Sequence, residues 1–256
     1  MNDLTPGRLD LHIAEHIAWI TIDNPGRRNA MSASMWRQVP DLLTKVADDP
    51  AVRVVVLTGA GDAFSAGANI NELDEIEGGR EESVTVTAER ALLTCPLPTI
   101  ALINGLCIGG GCQLAAACDI RIADTGATFG ITPAKLGIVY PASSIARLTE
   151  LVGPANAKLL LFSADFFDAA RALQMRLVDE ITDDARGRAI ALATTIARRS
   201  QLTVRASKQL IDMASRGESL DERRQHWQDL STESGESTEG ISAFLQRRPP
   251  EFPYRG

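Results

Sequence analysis

Two glycine-rich stretches hold the residues best placed to do chemistry. LTGAGDAFSAGANI (57–70) and LINGLCIGGGCQLA (102–115) each run from an apolar segment through glycine towards helix-forming residues. Glycine costs a helix interior roughly 1 kcal/mol relative to alanine, so three in succession, Gly109, Gly110 and Gly111, need a reason. A helix N-terminus presents unpaired N–H groups and a partial positive charge. Glycine there lets a ligand oxygen approach the backbone closely. Two such loops brought together aim two N–H donors at one oxygen. That is an oxyanion hole, suited to a thioester carbonyl that becomes an enolate. The same letters also fit close packing between a strand and the following helix.

Other chemistries are poorly supplied. The chain has three histidines, His12, His16 and His226, too few and too scattered for a metal site. No G-x-S-x-G elbow accompanies a base. Cys95, Cys107, Cys112 and Cys118 form no C-x-x-C pair and read as buried free thiols. The 256 residues carry a net charge of −7 and no long basic run, which argues against nucleic acid as a partner. The first residues, MNDLTPGRLDLH, lack the pattern of a signal peptide, and no apolar run approaches the roughly 20 residues that span a bilayer. The expectation is a soluble, cytoplasmic protein that binds no metal. TGAGDAFSAG is similar to the phosphate loop of ribokinase-like sugar kinases, with Asp62 as base. That motif comes late in such kinases and early here, and the second glycine loop would go unused.

The elements that must position these loops alternate. Residues 8–23 read as a hairpin, and Ser32 as the cap of a helix to about Ala47 that Pro40 should bend or break. VRVVVLTG (52–59), PTIALIN (98–104) and DIRIAD (119–124) read as strands, the first two as buried ones, and 80–93 as a helix. The pattern is α/β. From about 142 it is helical, with one strand candidate at 178–182 and helices over 183–199, 201–216, 219–234 and 238–247. Such a helical tail serves as a cap or a subunit contact.

FSAGANI, NGLCIGGGCQLAAACDIRIA, ATFGITPAKLG and the terminal EGISAFLQRRPPEF, in that order, resemble the crotonase (enoyl-CoA hydratase/isomerase) superfamily over nearly the whole chain. The resemblance implies a spiral of ββα units in residues 1–197 and a helical trimerisation region in 198–256. It implies an acyl-CoA substrate that carries its own coenzyme A, no separate cofactor, and a homotrimer or a dimer of trimers. It assigns the oxyanion hole to the backbone N–H groups of Ala68 and Gly110. It places CoA near Arg27, Arg28 and Ala66. Phe244 and Arg247, at the chain's end, reach a CoA site in relatives, often a neighbour's. Arg27 and Arg28 read equally as a solvated basic turn.

The family's hydratases use two glutamates, and both positions differ here. One is Gln113; the other, aligned on Phe129-Gly130 and Leu136-Gly137, is Pro133. Each positioned acid or base is worth roughly 10²–10⁴-fold. A backbone oxyanion hole survives this loss, and decarboxylation needs no protein base. FGITPAKLGIVYP is moreover similar to the matching segment of the methylmalonyl-CoA decarboxylase branch, whose tyrosine corresponds to Tyr140. That branch has a histidine where this chain has Ala68. The expectation is a decarboxylase-like lyase in which Tyr140 orients the departing carboxylate or is simply a structural tyrosine. Gln113 contacts substrate or satisfies backbone groups, and Thr132 contacts substrate or caps the helix from Pro133. The alternatives are a hydratase or isomerase with a relocated carboxylate, for which Asp74, Glu75 and Glu150 are candidates, and a non-catalytic acyl-CoA-binding protein.

Overall fold

A computed structural model describes residues 6–77 and 83–254. The first half contains β1 (Arg8–Ala14), β2 (Ile17–Asp23), α1 (Ala33–Ala47), β3 (Val54–Gly59), β4 (Ala63–Ser65), α2 (Leu73–Glu77) and α3 (Val84–Leu93). Then come β5 (Thr99–Ile103), β6 (Leu106–Ile108), α4 (Gly110–Ala117), β7 (Ile120–Asp124), β8 (Thr128–Gly130), α5 (Pro133–Leu136) and α6 (Ala142–Ser163). The remainder is β9 (Phe166–Asp168), α7 (Ala169–Gln174), β10 (Glu180–Thr182), α8 (Ala185–Ala197), α9 (Gln201–Ser215), α10 (Asp221–Glu233) and α11 (Glu236–Gln246). The start of the helix expected over 80–93 lies outside the described residues.

The strands form two sheets. The larger has the order β1-β2-β3-β5-β7-β10, parallel except for the β1–β2 hairpin. The smaller has the order β4-β6-β8-β9, with only β9 antiparallel. Each turn of chain lays one strand in the large sheet, one in the small sheet, and then a helix. This is the ββα spiral, and the short strands β4, β6, β8 and β9 are elements that period-2 reading of the sequence did not separate from loops.

β3 is buried at every residue, as a central parallel strand covered on both faces must be. Alternate side chains go to opposite layers. Val54 and Val56 join Ile100, Leu102 and Ile122 against Ala185, Ala189, Ala193 and Ala197, a four-residue stripe of α8. Val55 and Leu57 face the main core with Met35, Trp36, Val39 and Leu43 of α1. Ser32 caps α1 by accepting from the Met35 N–H at 3.2 Å. The helix continues through Pro40 as one element, so of the expected bend or break the break does not occur. α6 does change direction, at Gly153 (φ 75°), just before Pro154. No helix among the described residues is long and apolar enough to cross a membrane.

Candidate active site

Three adjacent parallel strands of the small sheet build the site. β4 pairs with β6 through Ala63–Leu106 and Ser65–Cys107, and β6 pairs with β8 through Ile108–Gly130. Their carboxyl ends therefore deliver three loops side by side. These are residues 66–69, the start of α4 at 109–110, and 131–137. They enclose a cavity of about 110 Å³ lined by Ala66, Ala68, Gly109, Gly110, Gln113 and Thr132, with Leu73, Glu77, Thr85 and Tyr140 closing its sides.

The first loop is held from behind. Met31 N–H donates to Gly67 O at 2.7 Å and Asn69 N–H to Met31 O at 2.8 Å, a parallel bridge that straddles Ala68. In that pairing the N–H of Ala68 points away from Met31, and it finds no acceptor among the described residues. Ser65 Oγ accepts from Gly67 N–H at 3.0 Å and donates to Asn29 O at 2.8 Å. Gly110 opens α4, so its N–H has no acceptor within the helix. A Cβ on Gly67, whose φ is +93°, would lie 2.9 Å from Gly110 N, and one on Gly110 would lie 3.4 Å from Ala68 N. The two N–H groups thus share one small space. Two donors so close could serve one acceptor oxygen, and the tight approach of the two loops is why glycine recurs at both.

Other expected site residues distribute unevenly. Tyr140 lines the cavity, and its phenol makes no hydrogen bond among the described residues. Burial foremost, then Cys112, Glu89 and Cys107 nearby, push its pKa well above the ordinary value, so it is a neutral donor. Thr132 occupies the N-cap position of α5 without a side-chain cap bond, so its hydroxyl is not spent on the helix as the capping alternative required. Gln113 is buried, and among the described residues its side chain satisfies no backbone group. Its Nε2 donates to Glu89 Oε2 at 3.1 Å. Pro133 lines the cavity but offers no acid. Arg27 Nη1 donates to Asn69 Oδ1 at 3.1 Å, and Arg28 O accepts from Ala66 N–H at 2.9 Å. Both arginines are exposed beside the 66–69 loop. Phe244 and Arg247 do not line the cavity of their own chain, and Phe244 is 83% exposed.

The suggested relocated carboxylates do not line the cavity. Glu75 pairs with Arg37 at 2.7 Å and Glu150 with Arg147 at 3.0 Å, while Asp74 lies on α2 outside the lining. Among the described residues the one carboxylate that lines the cavity is Glu77, and burial pushes its pKa up. Glu77 was missed, although Leu73 and Glu77 stand at i and i+4 and both line the cavity. Glu89 was missed as well. It sits on the buried stripe Thr85, Ala88, Glu89, Leu92 of α3, where a charged residue in an apolar i, i+3, i+4, i+7 pattern was the available signal. All four cysteines are buried free thiols, and burial raises the pKa of Cys118 to about 12.

Residues 12–255 match the family model described as enoyl-CoA hydratase/isomerase. The chain is 34% identical over 248 residues to a Mycobacterium bovis protein named "Probable enoyl-CoA hydratase echA8", covering 94% of this chain and 96% of that one. It is 33% identical to the 2,3-dehydroadipyl-CoA hydratase of Escherichia coli, covering 93% and 95% respectively. A crystal structure of an enoyl-CoA hydratase/isomerase family member superimposes with a TM-score of 0.93 at 36% identity over 98% of both chains.

Proposed function

Because the chain belongs to the enoyl-CoA hydratase/isomerase family, we propose that it hydrates a 2-enoyl-CoA with Glu77 as its single acid/base. The observation that carries this reading is the pair of unspent N–H groups, Ala68 and Gly110, sharing one cavity with one partly buried carboxylate. The thioester oxygen accepts from both N–H groups, which stabilise the negative charge that builds as the enolate forms. Glu77 takes a proton from water as its oxygen bonds to C3, then returns that proton to C2. A carboxyl held up by desolvation suits both halves of the transfer. The decarboxylase-like reading, argued from the loss of both hydratase glutamates together with Tyr140, gives way here because the cavity holds a carboxylate at another position. The relatives carry hydratase names, and likeness to the methylmalonyl-CoA decarboxylase branch rests on a few short segments, FGITPAKLGIVYP, NELDEIEGGR and EGISAFLQRRPPEF. A second reading uses the same groups: a lone carboxylate also serves a double-bond shift, taking a proton from C2 of a 3-enoyl thioester and returning it to C4.

The test incubates the purified protein and Glu77→Gln with crotonyl-CoA, 3-pentenoyl-CoA and methylmalonyl-CoA, followed by mass spectrometry and chromatography of the thioesters. Gain of water by crotonyl-CoA that falls roughly 10²–10⁴-fold in the variant is expected. Rearrangement of 3-pentenoyl-CoA alone favours the isomerase. Loss of CO₂ from methylmalonyl-CoA restores the lyase. Binding without turnover of any of them leaves an acyl-CoA-binding protein.

A further inference from the structure

Behind the cavity wall, three helices converge on one carboxylate that the hydration chemistry does not use. Glu89 is 1% exposed. Its Oε2 accepts from Gln113 Nε2 at 3.1 Å, Ser144 Oγ at 2.7 Å and Ser143 Oγ at 3.1 Å. Ser143 and Ser144 lie in the first turn of α6, whose N-cap, Pro141, supplies no side-chain cap bond. A carboxylate is favoured at that end of a helix. Glu89 itself does not line the cavity, but Gln113 does. Gln113 is three residues beyond Gly110 on α4, so both stand on the same face of the helix.

The consequence lies in the amide. A glutamine has a donor end and an acceptor end of nearly equal shape, and its neighbours decide which way it faces. A carboxylate oxygen already receiving two hydroxyls selects the donor end. Gln113 Nε2 is therefore turned to Glu89, and Oε1 is left with no partner among the described residues, in a residue 3% exposed whose open side is the cavity. We propose that Glu89 is a positioning residue that locks the Gln113 amide with its oxygen facing the bound acyl group, so that the site selects an acyl chain bearing a hydroxyl donor. This rests on the hydration reading, in which the attacking water and the product hydroxyl are such donors. A buried acceptor left unpaired discriminates against a ligand that lacks the matching group.

The test is equilibrium calorimetry with butyryl-CoA and 3-hydroxybutyryl-CoA on the unsubstituted protein, Glu89→Gln and Gln113→Met. One hydrogen bond predicts a preference for the hydroxylated thioester of roughly threefold to tenfold. That preference should fall below twofold in both variants. In Glu89→Gln the new amide can pair with Gln113 in either sense, so the lock is lost without emptying the site. If Glu89→Gln does not fold, Glu89→Asp replaces it, since it keeps the charge and withdraws it from Gln113. Equal binding of both thioesters by the unsubstituted protein, or no binding, overturns the proposal. So does a Glu89 variant that keeps the preference Gln113→Met loses. A protein that shows the preference but hydrates nothing loses the hydration reading and keeps this one.

Discussion

Gly110→Ala separates the geometry of the oxyanion hole from mere stability. The added Cβ would stand 2.8 Å from Trp36 Cζ2 and 3.1 Å from Cη2. Carbon atoms pack best at about 3.5–4.0 Å, so the methyl intrudes by roughly 0.7 Å. Trp36 is fully buried in the main core and cannot swing aside. The start of α4 must therefore move, and with it the N–H of residue 110. Oxyanion donors act at about 2.7–3.1 Å, and losing one costs roughly 10²–10³-fold in kcat. Overpacking costs about 1–3 kcal/mol, or roughly 2–12 °C in Tm for a chain of this size. Gly217→Ala is the control. Its φ is +69° with open space around it, so alanine there brings about 1–2 kcal/mol of left-handed strain and no movement at the cavity. Steady-state kinetics on crotonyl-CoA and thermal melts of both variants make the assay. Expected is a comparable fall in Tm for both, with kcat lost only in Gly110→Ala. If Gly110→Ala keeps kcat within about threefold, or Gly217→Ala loses it in parallel, the account of the two N–H groups is refuted.

Glu77 must be ionised to take a proton, and its pKa is raised by burial. The rate should therefore fall as pH drops through a value above 4.5, and this acid limb should vanish from the residual activity of Glu77→Gln. Tyr140 is held well above its ordinary pKa and stays protonated; Tyr140→Phe should lower kcat about twofold to tenfold, the value of one neutral hydrogen bond, without altering the pH profile below pH 9. Arg248 grips Glu239 with bonds of 2.6 and 2.7 Å, and these hydrogen bonds bring the Glu239 pKa down to about 2. A depressed carboxyl stabilises the fold above its unfolded pKa and loses that contribution as pH falls through its folded one. Melting curves of the unsubstituted protein and Glu239→Gln should differ at pH 7 and converge between pH 4.5 and 2, by a small margin because the pair is exposed and screened by salt.

The amino-acid sequence by itself determined the elements whose periodicity is long enough to read: the hairpin, the capped α1, the apolar strands β3, β5 and β7, and the helical tail. It also determined the two glycine loops and the absence of carboxylates at Gln113 and Pro133, because backbone donors and missing side chains are local properties. The small sheet was hidden, since strands of three residues such as β4, β6 and β8 are too short for alternation to register, and their pairing is a matter of distant segments meeting. The same holds for the two carboxylates, Glu77 and Glu89. Glu77 becomes the cavity's carboxylate only when α2 packs against α1 and α3. Glu89 meets Gln113 across 24 positions and Ser144 across 55. Spacing along a chain cannot report such contacts. Burial makes them consequential: it pushes up the pKa of Glu77, and the buried Glu89 gathers donors from α4 and α6.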